Sequence, residues 1–346
     1  MWNGGWYDRI AREGYGGHRN TVAFWPLYPK LLQVGHEVTG TQNLVVGVIV
    51  SNACFLAALS ALFALVRRDY GQTVATRAVW LVALWPLSFF FSAVYTESLF
   101  LLLTVGVIAL GREERWASAS AVAALAALTR NSGLLVLVPL GWMLLQKRGW
   151  HPKGWWREGI QLAAIVLAPV AFAWHIARLW DDPLLIVRVQ ARWGRTRAWP
   201  WETLADGLRQ ARGLYRDSLP SCLKGVDFDG LDRCRAALDL TRSDRVAFQV
   251  GFVFVFGCVA LLPFAMRRLL PRDGLYLFAC FLFPLFGPEI GNPFKSDARF
   301  LIVAFPMFLA LAMLLSRPVV FGAALVASTI GLCGLLSLFA QSFFVA

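Results

Sequence analysis

The sequence predicts an all-α protein that crosses a membrane many times, and three observations lead there. Hydrophobic residues make up 58% of the 346-residue chain and charged residues 16%, where an ordinary soluble domain carries about 25% charged. Mean hydropathy is +0.58. The apolar residues gather into ten segments, and a soluble fold of this length needs far more polar surface to cover its cores. A single soluble domain, a disordered chain and a disulfide scaffold are excluded, which leaves a multi-pass integral membrane protein.

The segments lie at 44–66, 76–95, 97–111, 116–129, 132–146, 158–179, 246–266, 274–290, 299–316 and 319–341. A helix needs about 20 residues to cross the hydrocarbon core, so 97–111, 116–129 and 132–146 are short. They are expected to be tilted, broken or re-entrant, which is tolerated where protein or a water-filled cavity surrounds them. Orientation follows Lys and Arg. With 1–43 outside, the inside connections hold 13 basic residues: Arg67, Arg68, Arg77, Arg112, Arg115, Lys147, Arg148, Lys153, Arg157, Arg267, Arg268, Arg272 and Arg317. The outside ones, apart from the long piece at 180–245, hold seven: Arg9, Arg12, Arg19, Lys30, Arg130, Lys295 and Arg299. This alternation requires 116–146 to be a hairpin with Thr129-Arg130-Asn131-Ser132-Gly133 at its outer tip. The net charge of +12 then reads as topology, which argues against a nucleic-acid partner.

Three pieces face outside: 1–43, 180–245 and 291–298. The first has no span or leader before it, which favours a missing first helix. Within it, Ala23-Phe24-Trp25-Pro26-Leu27-Tyr28-Pro29 leads into Leu31 and Leu32 and reads as an interfacial segment. In the second, Leu204, Leu208, Ala211 and Tyr215 recur at helical spacing, predicting an amphipathic helix near 202–216. Cys222 and Cys234 share that loop, and outside the cytoplasm they are expected to form a disulfide. Cys54, Cys258, Cys280 and Cys333 lie in apolar runs, as small hydrophobes. No CxxC or His-x-x-x-His spacing occurs, so no metal site is read. Without an internal repeat or low-complexity linker, 1–346 reads as one membrane domain.

Charges within or beside a span are costly and tend to be functional. Glu97 opens a span at the outer boundary, either as an acid suited to a helix N-terminus or as a cavity carboxylate orienting a sugar or a base. Arg130 at the hairpin tip is either a snorkelling arginine or a phosphate ligand, since guanidinium offers paired donors. Lys295, Asp297 and Arg299 crowd the outer start of another span, as a surface Asp297–Arg299 pair or as a site for an anion. His175 reads as a hydrogen-bonded structural residue. Trp2-Asn3-Gly4-Gly5-Trp6-Tyr7-Asp8-Arg9-Ile10-Ala11-Arg12-Glu13-Gly14-Tyr15 mixes aromatics, glycine and carboxylates. That mixture suits carbohydrate, and a membrane aromatic belt is the plainer reading.

These residues carry a resemblance. Trp-x-x-x-Trp-Tyr-x-x-Ile-Ala-x-x-Gly-Tyr at 2–15 resembles the opening motif of the PIG-V-like mannosyltransferases, comprising the second mannosyltransferase of GPI-anchor assembly and its prokaryotic relatives. Phe24-Trp25-Pro26-Leu27-Tyr28-Pro29 and Tyr95-Thr96-Glu97-Ser98-Leu99-Phe100 resemble the next landmarks, in the family's order. Thr129-Arg130 followed by Gly133 is similar to its Thr-Arg-x-x-Gly turn. Gln190-Ala191-Arg192-Trp193-Gly194-Arg195 looks like the Gln-x-x-Trp-x-Arg of prokaryotic members, and Arg299 precedes Phe305-Pro306 as it does there.

The resemblance implies a GT-C glycosyltransferase fold and transfer of a sugar, usually mannose, from a polyprenyl- or dolichyl-phosphate carrier with inversion. The active site would be extracytoplasmic or lumenal, in a prokaryotic plasma membrane or, in a eukaryote, the ER membrane. It implies no cofactor beyond the lipid-linked donor. Arg130, Lys295 and Arg299 would hold the donor phosphate, and Trp6, Tyr7, Tyr28, Gln190 and Trp193 would line the sugar and acceptor pocket. The family's usual base position, one residue after the first Trp, holds Asn3. An amide cannot take a proton there, so Asp8 and Glu97 are the carboxylates expected to assist or substitute. The partners implied are membrane lipids, the carrier and a glycolipid or glycan acceptor, with any small membrane subunit unspecified. Two other readings stand beside this one: an inactive lipid-binding subunit of a glycan-assembly complex, and a lipid-linked-sugar flippase or transporter.

Overall fold

The computed structural model describes residues 3–149, 156–212, 242–341 and 345. Cys222 and Cys234, and the part of the expected amphipathic helix beyond 212, lie outside the described residues. Every apolar segment read from the sequence contains helix, and no strand longer than an isolated bridge occurs among the described residues. In chain order the helices are α1 (Asn3–Glu13), α2 (Leu27–Thr39), α3 (Asn43–Tyr70), α4 (Gln72–Ala83), α5 (Glu97–Arg112), α6 (Trp116–Thr129), α7 (Leu137–Arg148) and α8 (Trp156–Trp180). They continue with α9 (Leu185–Arg192), α10 (Pro200–Ala211), α11 (Arg242–Arg268), α12 (Pro271–Leu285), α13 (Asp297–Leu301), α14 (Pro306–Leu314) and α15 (Pro318–Ala340).

Among the described residues, four helical stretches are long and apolar enough to cross a membrane: Asn43–Tyr70, Trp156–Trp180, Asp244–Arg268 and Pro318–Ala340. These long helices leave most of their apolar surface uncovered; only 6% of the α15 window is buried. The short helices lie inward. α5 packs against α3 and α6, and α6 against α8, so their ends are enclosed by protein. Irregular backbone at membrane depth needs that enclosure.

Two segments expected as single spans are interrupted. Residues 76–95 give α4 and then a short 3-10 turn at Ser88–Phe91. Pro86 disfavours helix before it and cannot donate within one. The hydroxyls of Ser88 and Ser98 donate to the carbonyls of Val82 and Phe91, satisfying backbone that the break leaves open. Residues 299–316 divide into α13 and α14, with Pro306 as the first residue of the new helix. The hairpin over 116–146 holds. α6 ends at Thr129, a 3-10 turn runs over Asn131–Val136, and α7 follows. Gly133 makes the return possible: a Cβ there would stand 2.4 Å from the Ala126 carbonyl.

Connections assigned to the inside meet at one end of the bundle. Asp69 at the end of α3 pairs with Arg112 of α5 at 2.5 Å and with Arg272 of α12. The Tyr70 hydroxyl donates to Asp273 at 2.5 Å. Arg68 reaches Glu113, Lys147 reaches Glu114, and Arg148 reaches Glu158. The pieces assigned to the outside gather at the other end. There the 23–32 segment is no free interfacial strip. From Leu27 it forms the start of α2, whose Tyr28, Pro29 and Leu32 are buried against α1 and α3.

Candidate functional site

At the end of the bundle opposite the Asp69 cluster a buried carboxylate draws two arginines together. Glu97 is the first residue of α5, and its side chain is 1% exposed. Arg130 caps α6 in extended backbone, which turns its side chain inward, and Arg299 comes from α13. Arg130 Nη1 and Arg299 Nε each lie 3.1 Å from the same Glu97 oxygen, Oε1. The two guanidiniums are 8% and 10% exposed. Neither contact has hydrogen-bond geometry: among the described residues Arg130 Nη1, Arg299 Nε and Glu97 Oε2 have no hydrogen-bond partner. Two cations against one anion leave net positive charge and unused donors in a place where charge is expensive to bury.

Aromatic rings wall this cluster. Arg130 stands over Phe300 at 4.9 Å and Phe100 at 5.7 Å. Arg299 stands over Tyr95 at 5.3 Å, Phe300 at 5.6 Å and Phe90 at 5.8 Å. Such contacts favour a desolvated cation. α1 closes one side. Gly4 packs on Val94, the Asn3 main chain lies beside the Tyr95 hydroxyl, and Tyr7 sits one helical turn on from Asn3. Tyr7 is buried against Phe24 and Tyr28. Burial pushes its hydroxyl up to about 12, helped by Glu97 and opposed by Arg130 and Arg299.

The other expected site residues divide. Trp6 meets Trp193 edge-on at 5.9 Å and stacks with Phe24 at 6.0 Å. α9 packs on α8 and on the 19–23 turn, which delivers Trp193 to this aromatic group. Gln190 is half-buried, and its carbonyl accepts from the Trp193 and Arg195 amides. Tyr28 does not line a pocket. It is fully buried, and its hydroxyl is shared with Ser51 Oγ at 2.8 Å and the Gly47 carbonyl at 3.2 Å, so it joins α2 to α3. Asp8 is held by Arg12 at 2.6 Å and Asn43 at 3.1 Å. Lys295 Nζ pairs with Glu289 at 2.5 Å. His175 is exposed rather than structural.

Two residues matter more than the sequence suggested. Asp297 forms no surface pair with Arg299. It is fully buried, and neither carboxylate oxygen has a hydrogen-bond partner among the described residues. Burial pushes its pKa up to about 7, with Arg195 pulling the other way. Arg195 itself comes from the turn after α9. Nothing in spacing marks it; its place in the quoted Gln-x-x-Trp-x-Arg stretch was the signal available.

Comparison with solved structures shows the fold. ArnT from Cupriavidus metallidurans bound to undecaprenyl phosphate superposes with a TM-score of 0.57 at 17% identity, covering 97% of this chain and 60% of that one. The apo form of the same protein gives 0.57, 17%, 96% and 59%. The apo oligosaccharyltransferase of Archaeoglobus fulgidus superposes less closely, at a TM-score of 0.46 and 12% identity over 100% of this chain and 52% of that one. The chain therefore spans about 60% of the length of the ArnT structures it matches. The fold is of the GT-C type, an all-helical membrane architecture. Residues 1–148 match the family model described as Mannosyltransferase (PIG-V), so the resemblance holds over that part of the chain. The match takes in Asn3, Trp6, Tyr7, Asp8, Tyr28, Glu97 and Arg130. No curated protein matches the chain.

Proposed function

We propose that the protein is an inverting membrane glycosyltransferase that moves a sugar, most simply mannose, from a polyprenyl-phosphate carrier to a glycolipid or glycan acceptor. The observation that carries this reading is the pair of buried arginines sharing one oxygen of Glu97. In the reaction the acceptor oxygen attacks the anomeric carbon. The bond from that carbon to the phosphate oxygen breaks, and the lipid phosphate leaves with the electron pair. Preorganised cations aimed at that growing charge are the largest contribution a protein can make to such a step. Arg130 and Arg299 supply them, and Glu97 positions both. That ArnT is described bound to undecaprenyl phosphate supports a lipid phosphate as the natural ligand of this fold. The distribution of Lys and Arg supports an extracytoplasmic site.

The acceptor proton must pass to a base. Glu97 is committed to the arginines, and Asp8 to Arg12 and Asn43. Asn3, whose main chain adjoins Tyr95 and whose helix carries Tyr7 into the site, holds the favourable position with an unfavourable group. That amide is the observation behind a second reading, a lipid-binding subunit without transfer activity. Radiolabelled polyprenyl-phosphate mannose, supplied with membrane-lipid extract to the wild-type chain and to Asn3→Asp, separates the two. Label should pass to a new product, faster in the Asp form. Carrier binding without transfer by either form would overturn the enzyme reading in favour of the subunit, and failure to bind the carrier would overturn both.

A further inference from the structure

We propose that Arg195 is a third phosphate-binding cation of this site, one whose contribution grows as the leaving phosphate gains charge; the inference rests on the reading above. One ring places it there. The guanidinium of Arg195 stands 5.5 Å from the centre of Phe300, the ring that Arg130 approaches to 4.9 Å and Arg299 to 5.6 Å. Three guanidiniums thus stand within 6 Å of the centre of one half-buried phenyl ring, and Glu97 pairs with only two of them.

The backbone holds Arg195 in that position. Residues 194–198 lie along 286–290 through Thr196 N to the Pro288 carbonyl at 2.9 Å, Ile290 N to the Gly194 carbonyl at 3.0 Å, and Ala198 N to the Phe286 carbonyl at 3.3 Å. Gly194 has φ +72, a left-handed backbone that favours glycine, and a Cβ there would stand 3.0 Å from the Glu289 side chain. Arg195 Nη1 donates to the Gly287 carbonyl at 2.6 Å and Nη2 to the Lys295 carbonyl at 3.4 Å. These bonds use two of the five N–H groups of a guanidinium. Asp297, whose oxygens have no hydrogen-bond partner among the described residues, lies within the field of Arg195 and makes no ion pair with it.

The chemistry separates three arginines from two. A carrier-linked sugar is a phosphodiester with a single negative charge. When the bond to the sugar breaks, the lipid phosphate becomes a monoester that takes up further charge. A third cation therefore favours the departing form over the donor, which is the condition for accelerating the step rather than merely binding substrate. Arg195 should accordingly discriminate monoester from diester.

The test uses the full chain in detergent with three probes: undecaprenyl phosphate, its methyl diester, and undecaprenol. The wild type should bind in that order. Arg195→Gln should lose about 10-fold or more in affinity for the monoester, the scale of a lost charge-assisted contact. Its diester and alcohol affinities should change far less. Arg195→Lys keeps the charge without the paired donors, so it should fall between. It also carries the comparison if the Gln variant does not fold. Equal changes for monoester and diester, or none, would overturn the inference and leave Arg195 as a staple between 194–198 and 286–290. A wild-type chain that binds undecaprenol as well as its phosphate would instead remove the functional reading beneath it.

Discussion

Replacing Glu97 by Gln keeps the size of the side chain and removes the countercharge that Arg130 and Arg299 share. In the native protein both cations lie 3.1 Å from one oxygen and are at most 10% exposed. Removing one member of a buried ion pair costs about 3–5 kcal/mol, because the remaining charge is left without solvent or partner. Here one substitution strands two cations, which places the loss toward the upper part of that range. The aromatic contacts of both arginines offset part of it. In a thermal unfolding assay in detergent the midpoint should fall on the order of 10 °C. The same change makes the site more receptive to anions. Undecaprenyl phosphate at about 100 times its Kd should return about 2.7 kcal/mol, and the gain at a fixed concentration should be larger for Glu97→Gln than for wild type. Glu97→Asp, which keeps the charge but shortens the reach, should lose stability without that extra gain. An unchanged midpoint in Glu97→Gln, or a lipid response no greater than wild type, would refute the reasoning.

Other substitutions probe the surroundings. Tyr28→Phe removes bonds to Ser51 and the Gly47 carbonyl and should cost about 1–3 kcal/mol of stability with sugar transfer unaltered at permissive temperature; a selective loss of transfer would return Tyr28 to the pocket. Gly133→Ala forces a Cβ to within 2.4 Å of the Ala126 carbonyl, so it should cost roughly 1–3 kcal/mol, read as a lowered unfolding midpoint with or without lipid. Asp297 gives a pH signature. Its carboxyl is raised from the usual 3.8 to about 7, so the folded state favours the proton; that stability is full below pH 4 and is lost as pH rises through 7. Asp297→Asn lacks the effect, so it should gain on wild type by an amount on the order of 4 kcal/mol between pH 4 and pH 8, and parallel pH profiles of unfolding would contradict the assignment.

The apolar segments and the alternation of charge were legible because each depends on local composition. Hydrocarbon selects run length, and Lys and Arg select a side, so both leave marks in the linear sequence. Glu97, Arg130 and Arg299 could be singled out individually for the same reason: ionisable groups at span ends are conspicuous. Their meeting on one carboxylate oxygen could not be read, because it depends on how α5, α6 and α13 pack. Tyr28 shows the limit of motif reasoning, since a tyrosine beside site residues serves equally well to tie two helices together. Asp8 lies on the same helix as Tyr7, but one residue turns the side chain by about 100°, and the sequence does not say which face of α1 meets α5. Asp297 looked like half of a surface pair because burial is a tertiary property. The interruptions after α4 and before α14 were partly visible in Pro86 and Pro306, yet the runs around them are apolar enough to read as continuous.

The shortness of α5 has a consequence for where the chemistry takes place. Its inner end is tied level with the inner end of α3 by the Arg112–Asp69 pair. From there its 16 residues rise about 24 Å at 1.5 Å per residue, while the hydrocarbon core is about 30 Å thick. On the proposed orientation, that difference would set Glu97 several ångströms within the outer leaflet, and any tilt would lower it further. A headgroup drawn to that depth must dip below its neighbours, and the surrounding leaflet must thin to meet it. Sugar donors dissolved in water would have to descend through a dehydrated layer, whereas a carrier already anchored by its tail approaches sideways from within the leaflet. On the proposed function, the length of one helix would thus act as a filter on how a molecule arrives, before any side chain has touched it.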